Sequence, residues 1–554
     1  MFDIETSDVA ARARIIVIIT GFMISFLLVS SRLLIVASSE YVNYKNYASR
    51  TNNFRLDITD RNGNLLAVNL PAASLYANPR KVVDLDDSIA KLLTVFPELD
   101  KEKLYTALKS NKSFVWIKRD ITPKEQEKIY NLGLPGFDFE REKKRIYTYG
   151  NLLAHVVGYV GRDTQGLAGV EKYYDEVLTN KKITDPKIDK LQLSIDIRLQ
   201  NILSNELDKA IKKFSAIGGA GVIVNPNNGE ILALVSKPDF DPHYPGIAKA
   251  EQLFNKATLG SYELGSAMKT LTVAVGLDTG VTTIRDAYDL SYMKVSGKYI
   301  TDTYPVKGYK TVPQIFMKSS NIGTSQIMLE IGKANLKTYL KKLGMLDKLN
   351  LEVSERSRPL FPPYNRWTDL SLVTMSYGYG IAESPSHFIQ AMIPIINGGM
   401  KYPLTLIKRA DGEKMVGERV FAEETSNNMR KLMHLGTVEG TSRKAAIKGY
   451  YIGAKTGTAE KLENGKYNKK NKRISSCFAI LPATKPEYII YVMIDEPKGI
   501  KETYNFAGGG WVAAPVVNEI FAQMIAMYGI TKPDANSKEV KDLLDIEYKI
   551  RDET

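Results

Sequence analysis

Cysteine is almost missing from this chain. Cys477 is the only one among 554 residues, so no intrachain disulfide and no multi-cysteine metal site can form. Histidine is nearly as scarce. His155, His243, His387 and His434 are widely separated and lack metal-ligand spacing, so neither a zinc enzyme nor another metal site is expected. Charge of one sign is not concentrated either. Lys plus Arg number 75 against 62 Asp plus Glu, a net charge of +13, but the bases are scattered among acids. The densest run, "KYNKKNKR" (Lys466 to Arg473), follows the turn signal "ENG" and reads as a solvated loop. Nucleic acid is therefore not an expected partner. A hydrophobic share of 44% and a charged share of 25% exclude a disordered chain, and the length allows two or more domains.

Long hydrophobic runs are also few, and the one present is at the N-terminus. "IIVIITGFMISFLLVSS" runs from Ile15 to Ser31 without a charge, Arg32 interrupts it, and "LLIVA" continues to Ala37. Its first 17 residues would rise about 25 Å as a helix, and the extension to Ala37 spans a bilayer core. Arg32 can snorkel to the far headgroups. Arg12 and Arg14 precede the run, and basic flanks stay in the cytoplasm. Residues 1–14 are thus expected to be cytoplasmic and residues 15–37 an uncleaved transmembrane anchor. The remainder is expected outside the cytoplasm, a compartment that large domains tolerate without disulfides.

From residue 38 to about 190 the sequence mixes short strands, polar turns and charged helices, with a hairpin signal at Asn62-Gly63 in "ITDRNGNLLAV". No reactive constellation stands out there, and a spacer or docking module is the expectation. After residue 191 the texture changes. "GVIVNPNNGEILALVS" (Gly221 to Ser236) predicts two strands around a turn, and "SSCFAILPATKPEYIIYVMID" (Ser475 to Asp495) predicts a second antiparallel pair. Helical patterns such as "KANLKTYLKKLGM", ending near Gly344, lie between them. The fold expected for residues 191–532 is α+β, a central antiparallel sheet flanked by helices. Residues 533–554 are polar and charged and are expected to be poorly ordered.

Three short motifs carry chemistry. In "YELGSAMKTLTVAVGL", Ser266 opens a helix-patterned stretch and Lys269 follows one turn later on the same face. A helix start favours developing negative charge, and a deprotonated lysine one turn away can take the serine proton. "MKSSNIGTSQ" places Ser319 and Asn321 in a loop between helix-like stretches. "YIGAKTGTAEKL" is a strand with almost nothing to bury, where Lys455, Thr456, Gly457 and Thr458 imply close approach to the backbone. Each motif is weak alone. Ser291 and Lys294 repeat the first spacing in a turn-and-strand context, and Ser426 to Asn428 repeats the second.

Order and context lift the set. Ser-x-x-Lys heading a helix, Ser-x-Asn 53 residues later, then Lys-Thr-Gly on a strand resembles the penicillin-recognising serine acyltransferases. "RLDITDRNGNLLA", "RIYTYGNLLAHVVGYVGRDTQGLAGVEKYYD", "SYGYGIAESPSHFIQA" and "GAKTGTAE" look like class B penicillin-binding proteins, over the chain from the anchor to about Ile530. The anchor with its internal arginine, "SYGYG", and the loop after "KTGTAE" look most like the division-specific member, the septal peptidoglycan D,D-transpeptidase. Leu56 stands where the family usually has Gly, and Leu264 where Pro often precedes Gly-Ser. These departures put the pedestal loop geometry in question more than catalysis.

The resemblance implies an anchor in the bacterial inner membrane, an elongated pedestal over residues 38–190 and a serine β-lactamase-like transpeptidase domain in the periplasm. It implies Ser266 as nucleophile, Lys269 as base, and Ser319 and Lys455 as the proton path to the leaving amine. Asn321 would hold the stem-peptide amide, Gly457 would let the substrate come close, and Thr456 and Thr458 would meet its carboxylate. The oxyanion hole would be the backbone N–H groups of Ser266 and Thr458. The substrate class is stem peptides ending in D-alanyl-D-alanine, which β-lactams mimic, and no cofactor is required. A membrane-embedded glycan polymerase and other division proteins would be partners at the division site. An elongation-type transpeptidase is the alternative, and a β-lactam sensor or β-lactamase a more distant one.

Overall fold

The computed structural model describes residues 13–35, 55–179, 190–463, 466–467 and 472–548. Residues 468–471, half of "KYNKKNKR", therefore lie outside the described residues, as do the first twelve residues and positions 36–54. Helix α1 (Ala13–Ile35) has 23 residues and is long and apolar enough to cross a membrane.

Two compact units follow, one made of residues 71–144 and the other of residues 56–70 with 145 onward. In the smaller unit, strand β2 (Leu65–Ala77) contributes Ala73–Ala77 to antiparallel pairing with β3 (Val115–Ile121). Helices α2 (Leu85–Val95), α3 (Lys101–Leu108) and α4 (Pro123–Asn131) are capped by Asp84, Asp100 and Thr122 side chains. Leu75, Leu92, Phe96, Ile121 and Ile129 form one of its small cores. Strand β4 (Phe137–Tyr147) then returns the chain to the larger unit.

In the larger unit, β1 (Asp57–Thr59) pairs antiparallel with the start of β2 and parallel with β5 (Lys190–Gln192). The Asn62-Gly63 turn between β1 and β2 forms as expected, with Gly63 at φ 87°. Arg145 Nε donates to Glu171 at 2.7 Å with both side chains almost wholly buried, a contact that breaks for about 3–5 kcal/mol if one partner is removed. Leu56 has no left-handed backbone and is buried in the apolar core of the larger unit, so this loop has no need of Gly.

Five strands make the main sheet, in the order β8 (Gly453–Glu460), β9 (Arg473–Leu481), β10 (Tyr488–Asp495), β6 (Gly218–Val224) and β7 (Ile231–Lys237). Every neighbouring pair is antiparallel. Helices α5 (Ile197–Lys213) and α11 (Ala513–Tyr528) bury Leu203, Leu207, Val517 and Phe521 on one face, with Cys477 and Val492 of the strands. The other face packs against α6 (Lys269–Asp278), α8 (Asn321–Lys342), α9 (Pro385–Ile396) and α10 (Glu423–Val438). Phe388 of α9 meets Phe478 and Tyr491 there, with ring centroids 5.7 and 5.0 Å away. This is the expected α+β architecture.

The tail expectation needs correction. Ser537 caps a helix, α12 (Lys538–Leu544), whose Val540 and Leu543 are buried. Lys431 Nζ donates to Asp545 O at 3.0 Å and Thr311 Oγ1 to Tyr548 O at 2.9 Å, so the segment is docked through residue 548. Two apolar residues three apart are enough for one helical face, and the surrounding charges hide them in a composition count.

Candidate active site

Strand β8 is at the edge of the sheet, and the turn that carries Ser266 packs against it. Gly265–Met268 forms one 3-10 turn, and α6 begins at Lys269. Ser266 therefore sits in a tight turn just ahead of the helix instead of in its first α-helical turn. Gly265 has φ +54°, and a Cβ there would lie 2.2 Å from Thr458 O. A Cβ at Gly457 would lie 2.4 Å from Ser476 Oγ and 2.6 Å from Leu264 O. The small residue at 457 thus admits the protein's own nucleophile turn, because the pleat turns Gly457 inward on the same side as Lys455. On that face Leu264 and Ser476 come close to this strand.

The second motif is fixed by its own loop. Helix α7 (Val312–Lys318) ends at Ser319, whose φ 57° and ψ 47° put a non-glycine residue in the left-handed region. Such a conformation costs about 1–2 kcal/mol and persists where the surroundings hold it. The surroundings here are Asp302, which accepts from Ser320 Oγ at 2.7 Å and from the N–H groups of Asn321 and Ile322 at 2.5 and 3.1 Å. Asp302 thereby caps α8 and holds the loop. Asn321 Nδ2 donates to Thr301 O at 2.8 Å, which turns Oδ1 toward Lys269.

Both lysines converge on Ser319. Lys269 Nζ, with no exposed surface, donates to Ser319 O at 2.5 Å and Asn321 Oδ1 at 2.7 Å, with Ser319 Oγ at 3.2 Å. Lys455 Nζ donates to the same Ser319 Oγ at 2.9 Å and to Thr456 O at 3.2 Å. Burial, and then the charge of Lys455, push Lys269 well below its ordinary value, against a smaller opposing pull from Asp302. Burial brings Lys455 down to about 7, opposed by Cys477. A neutral Lys269 spends its two N–H groups on Ser319 O and Asn321 Oδ1 and keeps a lone pair for a hydroxyl. Ser266, half-buried, makes no hydrogen bond to either lysine here; such bonds commonly tighten only in the substrate complex.

The threonines of the third motif are held differently from one another. Thr456 Oγ1 is buried and donates to Thr441 Oγ1 at 2.9 Å, whereas Thr458 Oγ1 accepts from Gly509 N at 2.9 Å and keeps its own proton free. At the end of β8, Lys461 N donates to Lys472 O at 2.9 Å, and Glu460 N donates outward to Tyr379 Oη at 3.1 Å. By the two-residue period of a strand, the N–H groups of Thr458 and Thr456 face outward with that of Glu460. Asp302, Thr441 and Gly509 were not singled out in the sequence, where none has a diagnostic spacing to the motifs, and Tyr379 lies in the "SYGYG" run, which carried the resemblance without a role for this residue.

The repeated motifs lie apart from this cluster. Lys294 sits in a two-residue strand with Nζ 5.2 Å from the Tyr299 ring centroid, and Ser291 Oγ accepts from Gly308 N at 2.9 Å. Ser426 belongs to α10 and accepts from Gly398 N at 2.9 Å.

Sheet, flanking helices and a serine turn beside two buried lysines define a penicillin-recognising serine acyltransferase. Two family models match the chain: the penicillin binding protein transpeptidase domain over residues 219–522 and the penicillin-binding protein dimerisation domain over residues 51–185. The chain is 36% identical over 497 residues to the probable peptidoglycan D,D-transpeptidase FtsI of Caulobacter vibrioides, covering 88% of this chain and 83% of that one. It is 31% identical over 507 residues to the peptidoglycan D,D-transpeptidase FtsI of Escherichia coli, covering 86% and 84%. The transpeptidase domain of Burkholderia pseudomallei penicillin-binding protein 3 superposes with a TM-score of 0.56 at 28% identity, over 62% of this chain and 98% of that one. The chain belongs to the class B penicillin-binding proteins, of the FtsI type.

Proposed function

We propose that this chain is a peptidoglycan D,D-transpeptidase of septal cell-wall synthesis, working through an acyl-enzyme on Ser266. The observation that carries the chemistry is the placement of Ser319 Oγ between Lys269 Nζ and Lys455 Nζ, at 3.2 and 2.9 Å. Ser266 Oγ gives its proton to neutral Lys269 and attacks the penultimate D-alanine carbonyl. The oxyanion is held by the N–H groups of Ser266 and Thr458, where one donor is typically worth about 10²–10³ in rate. Collapse breaks the C–N bond, and Ser319 Oγ protonates the departing D-alanine amine while the proton that Lys269 took from Ser266 returns to Ser319, which leaves Lys269 neutral again. An acceptor amine from a neighbouring stem peptide then attacks the ester, losing its proton to Lys269, and the cross-link forms as Ser266 regains its hydroxyl.

Lys455 and the Thr458 hydroxyl attract the terminal carboxylate, with Thr456 acting through Thr441. Penicillin enters by the same route because its strained amide stands in for the D-Ala-D-Ala bond. Arg12 and Arg14, ahead of the uncharged run that starts at Ile15, favour a cytoplasmic N-terminus and a periplasmic catalytic unit. At the septum a membrane-embedded glycan polymerase and other division proteins are the natural partners.

Depletion tests the cellular role. Cells lacking the protein should elongate without dividing, and a Ser266→Ala copy should not restore division. Rounded, swollen cells that still form septa would assign the protein to elongation.

A further inference from the structure

The edge that would receive the donor peptide is closed at one end. Glu460 N points away from β9, in line with the outward N–H groups of Thr458 and Thr456, and its hydrogen bond is already taken by Tyr379 Oη at 3.1 Å. An extended donor adding itself to β8 can therefore continue the ladder through Thr458 but not to Glu460. Tyr379 is not a free rotor. Gly380 N donates to Glu263 Oε1 at 2.7 Å, and Gly265 N donates to Gly378 O at 3.3 Å, so both flanking residues are tied to the nucleophile turn. Its ring is held edge-on by Tyr467, with centroids 5.1 Å apart, and Tyr467 Oη donates to the same Glu263 oxygen at 2.9 Å.

We propose that Tyr379 is a positioning residue that terminates the donor-binding edge, setting the register of the stem peptide so that its penultimate carbonyl stops at Ser266. The inference rests on the acyl-transfer reading above, in which the carboxylate lies toward Lys455 and the stem runs toward Glu460. A one-residue slip along a strand reverses which side chains face the site, and a two-residue slip moves the scissile bond out of reach of Ser266. A hydroxyl that occupies the next outward N–H opposes both slips without touching the reacting atoms.

The test compares two donors as competitors of fluorescent penicillin on the full-length protein in detergent. One is acetyl-D-alanyl-D-alanine, and the other is an acetylated pentapeptide ending in the same pair. Tyr379→Phe keeps the ring and frees Glu460 N–H. The advantage of the long donor over the short one should rise about fivefold in the variant, the size of one net peptide hydrogen bond. Penicillin labelling without competitor should persist in the variant, which shows that it is folded. An unchanged long-to-short ratio in a variant that still labels would overturn the register stop alone. A parent protein that takes up no penicillin would overturn the acyl-transfer reading beneath it.

Discussion

Ser266–Lys269 and Ser291–Lys294 have the same spacing, and the structure makes them opposites. In the first, the lysine is wholly buried and hydrogen-bonded to Ser319 and Asn321, and the serine turn packs against Thr458. In the second, the lysine is exposed on a two-residue strand, and the serine accepts a backbone N–H inside its own loop. Burial beside a second cation depresses a lysine. The spacing supplies the two groups, and the fold decides whether one can deprotonate the other.

The sharpest way to break that comparison is to remove each serine. Ser266→Ala should abolish covalent labelling by a fluorescent penicillin, and Ser291→Ala should leave it within about twofold of the parent. Labelling that survives Ser266→Ala would erase the distinction.

Removing the lysines should give the next largest difference. Lys269→Ala should slow acylation by roughly 10²–10⁴, the usual worth of a positioned general base. Stopped-flow acylation should show Lys294→Ala unchanged. A near-normal rate in Lys269→Ala would put the base elsewhere.

A smaller effect separates the two buried lysines. Lys455 is held down to about 7, so it is cationic below that pH and loses its proton above it. Carboxylate attraction then fades, and acylation should fall by up to about tenfold per unit as pH rises beyond about 7. Lys269 is pushed well below its ordinary value by burial and by the charge of Lys455. In Lys455→Arg the guanidinium keeps its charge, so the descending limb should vanish from the pH profile whatever the absolute rate. A limb that persists in that variant would assign it to another group.

Much of this site was legible because its reacting groups come in short runs. Ser266 with Lys269, Ser319 with Asn321, and Lys455 to Thr458 each sit within four residues, and residue type alone suggests what each can do. The strand pairs at Gly221–Ser236 and Ser475–Asp495 were legible through their turn signals and apolar runs. What holds the groups in place was not. Asp302 fixes the Ser319 loop from 17 residues upstream, Thr441 meets Thr456 from the end of α10, and Tyr379 reaches Glu460 across 81 positions. No local pattern encodes such contacts, because they arise only when separate elements pack. Gly457 shows the same limit. Its smallness was visible, but the partner that requires it is Leu264 O and Ser476 Oγ. The docked tail escaped notice for the converse reason, since Val540 and Leu543 are few among many charges.

The central claim is that the fold, not the spacing, selects the nucleophile. The most direct measurement is to treat the intact protein with penicillin, digest it, and locate the added mass by tandem mass spectrometry. The adduct should lie on the hydroxyl of Ser266. An adduct on Ser291, or on any residue outside the Gly265–Met268 turn, would contradict it.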